Sequence, residues 1–281
     1  MKKDNFTANE LLKIQKIFTD KNWEIIETKE ISHFNRYCKR IKQIKLEKER
    51  ELILELTNNY LWIKESDYTK HLKIALRNLV KDEDINDKTK IYIIPLKSPT
   101  DDFKSKSSDS IAYFFNNCEL RYEFSQKIEL ISQQKIRRCL NESNKIILAV
   151  DDFIGTGNTA KKFIENLLKK FKNLKIKDLA ILTLVIQEQA IQNLNTVYPS
   201  IKIFRSIEEK KGISDKYSDT ELSEKIKLMK QIEENLEIPD SYLFGYEQSE
   251  ALVTMIRTPN NTFPVFWYNK RNEDIAPFPR Y

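Results

Sequence analysis

KIILAVDDFIGTGNTAKKF, residues 145–163, decides how this chain is read. A short apolar run ends in two adjacent acids, and a loop of small residues then leads into a lysine-rich helical pattern. The whole chain has only four glycines, and two of them, Gly155 and Gly157, fall in this loop. KIILAV is continuous and β-branched, as expected of a strand covered on both faces. Such a strand delivers Asp151 and Asp152 to its carboxyl end, where open α/β sheets bind their ligands.

The chemistry of the stretch divides in two. Paired carboxylates accept hydrogen bonds from vicinal hydroxyls such as those of a ribose. Gly155, Thr156, Gly157, Asn158 and Thr159 form a tight turn at a helix start, where backbone N–H groups and the helix dipole favour an anion. Together they describe a site for a sugar phosphate. A P-loop would carry Lys followed by Ser or Thr after its last glycine, where Asn158 stands here, and a dinucleotide fingerprint would place its acid after the glycines rather than before them.

Outward from this centre, short apolar runs alternate with helical patterns. IYIIPL (91–96), KIILAV, LAILTLVIQ (179–187) and IKIFRS (201–206) read as strands. IAYFFNNCEL (111–120), QKIELISQQKIRRCL (126–140), NTAKKFIENLLKKF and QAIQNLNTV read as helices. The alternation implies a parallel sheet with helices on both faces, an α/β fold. Residues 1–84 show helical spacing with no clear strand, and 85–281 form the α/β domain with its extension. Within that extension, 208–237 reads as a loop and an amphipathic helix carrying Leu222, Ile226 and Met229 inward. ALVTMI (251–256) reads as a last strand, and an aromatic and proline-rich segment closes the chain. The polar turn Thr258–Thr262 is a connection or, set beside the sheet end, a base contact with Phe263 or Trp267 stacking.

Composition narrows the function. With 281 residues, 40% of them hydrophobic, the chain can bury a core without staples. Three scattered cysteines with no CxxC pair point to neither a disulfide framework nor a zinc site, and two histidines distant from the loop argue against histidine catalysis. No run approaches the roughly 18 apolar residues of a membrane span, so a cytoplasmic protein is expected. The net charge of +6 comes from 48 basic against 42 acidic residues. Its two basic clusters, 36–50 and 161–177, are either solvated helix faces or contacts for a phosphate backbone.

The motif resembles the phosphoribosyl pyrophosphate (PRPP) motif of type I phosphoribosyltransferases. The resemblance implies that Asp151 and Asp152 hold the ribose hydroxyls and that the Gly155–Thr159 loop holds the 5′-phosphate. Mg2+ would arrive with the ligand rather than on protein side chains. Lys97 and Ser98, after the first strand of the sheet, stand where the family places its diphosphate loop; the alternative for Lys97 is an ordinary surface lysine. Ser107, Ser108 and Asp109 are either a helix N-terminus or the mobile loop that closes over substrate. One departure is Gly155, which stands where purine enzymes of this type carry an acid acting on the base.

YLWI (60–63), KSSDSIAYFF (106–115), VDDFIGTGNTA (150–160), TPNNTFPVFW (258–267) and the late FPR are similar to phosphoribosyltransferase-like proteins of bacterial anti-phage defence systems. Some of those accompany a retron reverse transcriptase and a winged-helix partner, which would be the partners here. Three functions follow as expectations: a PRPP- or nucleotide-binding effector, a pentosyltransferase if it is an enzyme; a catalytically inactive sensor acting through protein partners; and a nucleic-acid-binding module.

Overall fold

The computed structural model describes residues 6–26, 28, 31–82, 85–98, 106–116, 118–124, 126–270, 273 and 275–280. In chain order it begins with α1 (Ala8–Asp20), α2 (His33–Gln43), α3 (Glu47–Asn58) and β1 (Leu61–Trp62). Next come α4 (Tyr68–Val80), β2 (Lys90–Pro95), α5 (Ser107–Phe114), α6 (Cys118–Glu123), β3 (Ile128–Leu130) and α7 (Ile136–Cys139). The chain continues with β4 (Lys145–Ile154), α8 (Asn158–Lys170), β5 (Leu179–Gln187), α9 (Glu188–Val197) and β6 (Lys202–Glu209). It closes with α10 (Asp219–Asn235) and β7 (Val253–Thr254).

These elements form two compact units, Lys64–Glu209 and the pair of segments Met1–Ile63 and Lys210–Tyr281. A boundary at residue 84 is therefore not where the chain divides. α4, inside the expected N-terminal helical region, packs on β5 and β6 and buries Leu72, Ala75, Leu76 and Leu79. The C-terminal segment, in turn, shares a core with the N-terminal helices.

In the Lys64–Glu209 unit, five parallel strands lie in the order β3-β2-β4-β5-β6. All nine residues of β5 are buried, which is why LAILTLVIQ reads as an unbroken apolar run rather than an alternating one. Alternation still assigns the faces. Ile147, Ala149 and Ile181 pack with Ala160, Phe163 and Leu167 of α8 and with Ala190 and Leu194 of α9. Ile91, Ile93, Leu148, Val150 and Leu182, also buried, point the other way, the side on which α4 and α5 pack. α8 owes its place to apolar residues at i, i+3, i+4 and i+7, with Lys169 and Lys170 favourably set in its last turn.

Strand order also fixes where a ligand can enter. From β2 the chain goes outward to β3, then crosses back to β4 and runs outward again through β5 and β6. Neighbouring connections thus leave in opposite directions at β2 and β4, and the carboxyl ends of those two strands flank the crevice.

Two local readings are corrected here. Residues 126–140 are not one helix: Ile128 and Leu130 lie in β3, in register with Ile91 and Ile93, and only the end of the stretch is α7. The amide of Ile91 donates to the Lys127 carbonyl and that of Ile131 to the Ile93 carbonyl, so β3 satisfies an edge of β2 that would otherwise be bare. The helix expected at 111–120 starts earlier, at Ser107, and stops at Phe114, with α6 beginning separately at Cys118.

The other unit is a helical assembly with a small sheet. Ile14, Phe18, Tyr37, Leu52 and Leu56 share one core with Ile213, Met229, Ile232, Phe263, Phe266 and Phe278. β1, unexpected in a region without strand signals, pairs in parallel with β7 through Leu61↔Val253 and Trp62↔Thr254. Phe278 stacks on Tyr60 at 5.0 Å and meets Trp23 edge-on at 5.5 Å, which ties the chain's end to its beginning.

The basic cluster at 36–50 is split, with Lys39, Lys42, Lys45 and Lys48 exposed and its arginines turned inward. Arg36, Arg40 and Arg50 are buried. Arg50 pairs with Glu10 and donates to the carbonyls of Ile44 and Lys45, and Arg40 donates to Gln43 and to the Tyr268 carbonyl. Arg50 and Arg40 thereby serve the core through charge and carbonyl contacts, although the buried Nε of Arg40 has no hydrogen-bond partner. No helix among the described residues is long and apolar enough to cross a membrane.

Candidate functional site

β4 continues two pairs beyond the acids, with Phe153 opposite Val185 and Ile154 opposite Ile186. Asp151 and Asp152 are therefore held by strand backbone and not by a free loop. Asp152 is 5% exposed, and its Oδ2 accepts the Tyr68 hydroxyl at 3.1 Å. Oδ1 of Asp151 accepts the Asp152 amide at 2.9 Å and the Ser107 hydroxyl at 3.0 Å. Burial raises both carboxyl pKa values, and for Asp151 the adjacent Asp152 charge pushes the same way. Hydrogen bonds from Ser107, Asp151 and Tyr68 draw Asp152 part of the way back. Adjacent acids, Asp152 buried and Asp151 half-buried, are costly, so the fold retains them against their own electrostatics.

The loop that follows has little freedom. Gly157 sits at φ +83°, and a Cβ there would meet the Ala190 carbonyl oxygen at 3.3 Å. Backbone conformation and close approach to α9 both require glycine. Its carbonyl accepts the Lys161 amide at 2.9 Å, which starts α8. The Thr156 carbonyl is fixed from α9 by the side chain of Asn193 at 3.0 Å. Gly155, Thr156 and Gly157 are buried, Asn158 half-buried and Thr159 exposed. The first amides of an α-helix have no acceptor within it, so this turn is suited to an anion.

Across the crevice, Lys97 stands two residues past β2, where the Leu96 amide bonds the Val150 carbonyl at 2.9 Å. Its ammonium pairs with Asp109 at 2.6 Å, and its side chain is 13% exposed. Ser98 follows it directly. Ser107, Ser108 and Asp109 are the first turn of α5, the plainer of the two sequence readings. Asp109 also accepts the Lys106 amide at 2.8 Å, while Ser108 is buried and its hydroxyl has no hydrogen-bond partner. Residues 99–105 lie outside the described residues.

The structure thus brings Lys97, Ser107, Asp109, Asp151, Asp152 and the 155–159 loop to the carboxyl end of one sheet. Tyr68 and Asn193 join them without any sequence signal, because each reaches the site only through tertiary packing. Beside α5 lies an open cavity of 620 Å3 lined by Glu65, Asp109, Ser110, Tyr113, Phe114 and Asn116. The turn Thr258–Thr262 makes no such cluster. Thr258 donates to the Phe278 carbonyl at 2.8 Å, Thr262 to that of Val253 at 2.6 Å, and Asn261 to Ser249 at 3.1 Å. Phe263 and Trp267, offered as stacking platforms, are core residues, and the Trp267 indole donates to the Thr262 carbonyl.

Fold and strand-end loop together define a doubly wound α/β domain with its site at the switch point. The chain belongs to the PRTase-CE family, whose model matches residues 10–280, and its fold is phosphoribosyltransferase-like. Similar solved structures include an orotate phosphoribosyltransferase from Aeropyrum pernix, at 16% identity and a TM-score of 0.31, over 51% of this chain and 72% of that one. Another is the AQ2163 protein from Aquifex aeolicus, at 10% identity and a TM-score of 0.32, over 74% of this chain and 87% of that one. No curated protein matches.

Proposed function

We propose that this protein binds PRPP or a related ribose 5-phosphate compound or nucleotide at the end of β4. The observation that carries the reading is the continuity of the adjacent acid pair with a glycine-bound turn at a helix start, a hydroxyl acceptor and an anion cradle on one strand. Asp151 and Asp152 take the ribose hydroxyls, and Gly155–Thr159 take the 5′-phosphate. Lys97 and Ser98 face a diphosphate from β2, with Lys97 supplying charge.

Mg2+ is expected as a companion of the diphosphate, as the resemblance to phosphoribosyltransferases implies. When bound it would neutralise charge on the diphosphate. This chain's own part is to orient the ribose and to hold its phosphate.

The test is calorimetric titration with PRPP and Mg2+ beside the Asp151→Asn/Asp152→Asn variant, followed by assay of released diphosphate. Binding in the parent and its loss in the variant is the expected result. Equal binding in both would overturn the reading.

A second reading keeps the pocket without the reaction: a nucleotide or PRPP sensor acting through protein partners. Gly155 favours it, because no carboxylate stands in the loop to act on a base. Diphosphate release on turnover would select the transferase, and binding without release the sensor. The likeness to anti-phage defence proteins supports placing either activity in such a system, beside a winged-helix protein and a reverse transcriptase. Co-purification of those two proteins with this chain is the measurement for that assignment.

A further inference from the structure

The first turn of α5 makes two contacts that differ in kind and fall on opposite sides of the crevice. At its first position the Ser107 hydroxyl donates to Asp151 at the end of β4. Two residues on, the Asp109 carboxylate holds the Lys97 ammonium beyond β2. A neutral hydroxyl thus meets the acid proposed to hold ribose hydroxyls, and an anion meets the cation proposed to hold diphosphate. The first contact reaches far along the chain, since Asp151 is 44 residues from Ser107, and the second reaches back to the end of the preceding strand. Neither is needed to start α5, whose Lys106 amide is already taken by Asp109.

We infer that the α5 first turn is a built-in substrate mimic, with Ser107 standing in for a ribose hydroxyl and Asp109 for a diphosphate oxygen, so that the helix, as a latch, competes with ligand for the site. This rests on the reading of the site as one for PRPP. Binding then exchanges each latch contact for its ligand counterpart. Ribose 5-phosphate, which has no diphosphate, displaces only Ser107, whereas PRPP displaces both. Release moves α5, and with it the exposed Tyr113 and the cavity wall formed by Ser110, Phe114 and Asn116. Ligand occupancy would reach the outer surface of the unit by that route.

The experiment is titration of Ser107→Ala and Asp109→Asn, singly, with PRPP and with ribose 5-phosphate, each with Mg2+. Ser107→Ala should tighten both ligands by roughly 3- to 10-fold, the worth of one net hydrogen bond. Asp109→Asn should tighten PRPP by a similar factor and leave ribose 5-phosphate unchanged. Unchanged or weaker PRPP binding in both variants, with binding still abolished by Asp151→Asn/Asp152→Asn, would overturn the latch and leave the pocket standing. No binding of either ligand to the parent chain would overturn the pocket and the latch together. Hydrogen exchange gives an independent check on the unmodified protein: α5 amides should exchange faster at saturating PRPP. Unaltered exchange there would also overturn the latch.

Discussion

Tyr68 and Asp152 meet across 84 residues of sequence, the phenol donating to the carboxylate at 3.1 Å with both side chains buried. The contact ties α4, which precedes the sheet in the chain, to the acid that the sheet delivers. It also lowers the electrostatic cost of burying Asp152, whose pKa is raised by burial and partly restored by this donor. Tyr68→Phe keeps the ring, which lies 5.6 Å from Phe114, and removes only the donor. The variant should lose about 1 kcal/mol of stability, the worth of a typical buried hydrogen bond. Urea denaturation reads that loss, and calorimetry should show weaker PRPP binding because Asp152 is no longer held.

The acid pair makes the protein's stability depend on pH in a defined direction. Both carboxyl pKa values are raised in the folded state above the usual 3.8. Between that value and the raised ones the native chain holds protons that the unfolded chain has released. Stability therefore falls as pH climbs through that window. Asp151→Asn removes one of the two charges and should melt at a higher temperature than the parent at neutral pH. The gap should close toward about pH 3, where the unfolded carboxylates are protonated too. Melting curves across that range check it, and a variant less stable than the parent at neutral pH would contradict the electrostatic account.

Gly157→Val tests the turn. At φ +83° a side chain is strained whatever the space, and here it would also press on the Ala190 carbonyl. The left-handed conformation alone costs a branched residue about 1–2 kcal/mol. We expect a loss of at least that size in denaturant melts, a retained helical spectrum and no sugar-phosphate binding. Full affinity in the folded variant would remove the turn from the binding site.

How much of this was legible beforehand follows from how local each signal is. The run from Lys145 to Thr159 carries its own strand, acids and turn, so its position and form could be read without any partner. β5 was equally plain, because a strand buried on both faces is apolar throughout. β3 was not, since among the described residues it pairs with β2 alone and its apolar residues also fit helical spacing. Leu61 and Val253 pair across about two-thirds of the chain, which is why neither β1 nor the shared core of the two terminal segments showed. Tyr68 and Asn193 are ordinary helix residues in sequence, and only packing brings them to the loop. The arginines at 36, 40 and 50 misled in the other direction, because a basic run does not announce which of its charges are turned inward.

Glu233 provides the last prediction, in the unit formed by the terminal segments. It is fully buried on α10, with Oε2 accepting the Phe244 amide at 2.8 Å and Oε1 without a hydrogen-bond partner. Burial raises its pKa to about 8 from 4.5; the Phe244 amide works against the shift and nearby Glu250 adds to it. Glu250 is itself buried, but the Ile213 and Ser214 amides and the Ser214 hydroxyl all donate to it, so it has the partners that Glu233 lacks. The native chain therefore keeps a proton on Glu233 from pH 4.5 to about 8 while the unfolded chain does not. Over that window stability should fall by up to about 1.4 kcal/mol per pH unit from this group. Glu233→Gln, uncharged and of similar shape, should abolish that part of the slope. It should match the parent near pH 4.5 and exceed it at pH 8. Parallel stability curves for the two proteins across the window would mean that the parent's carboxyl is ionised in place and that the buried site is more polar than its partners indicate.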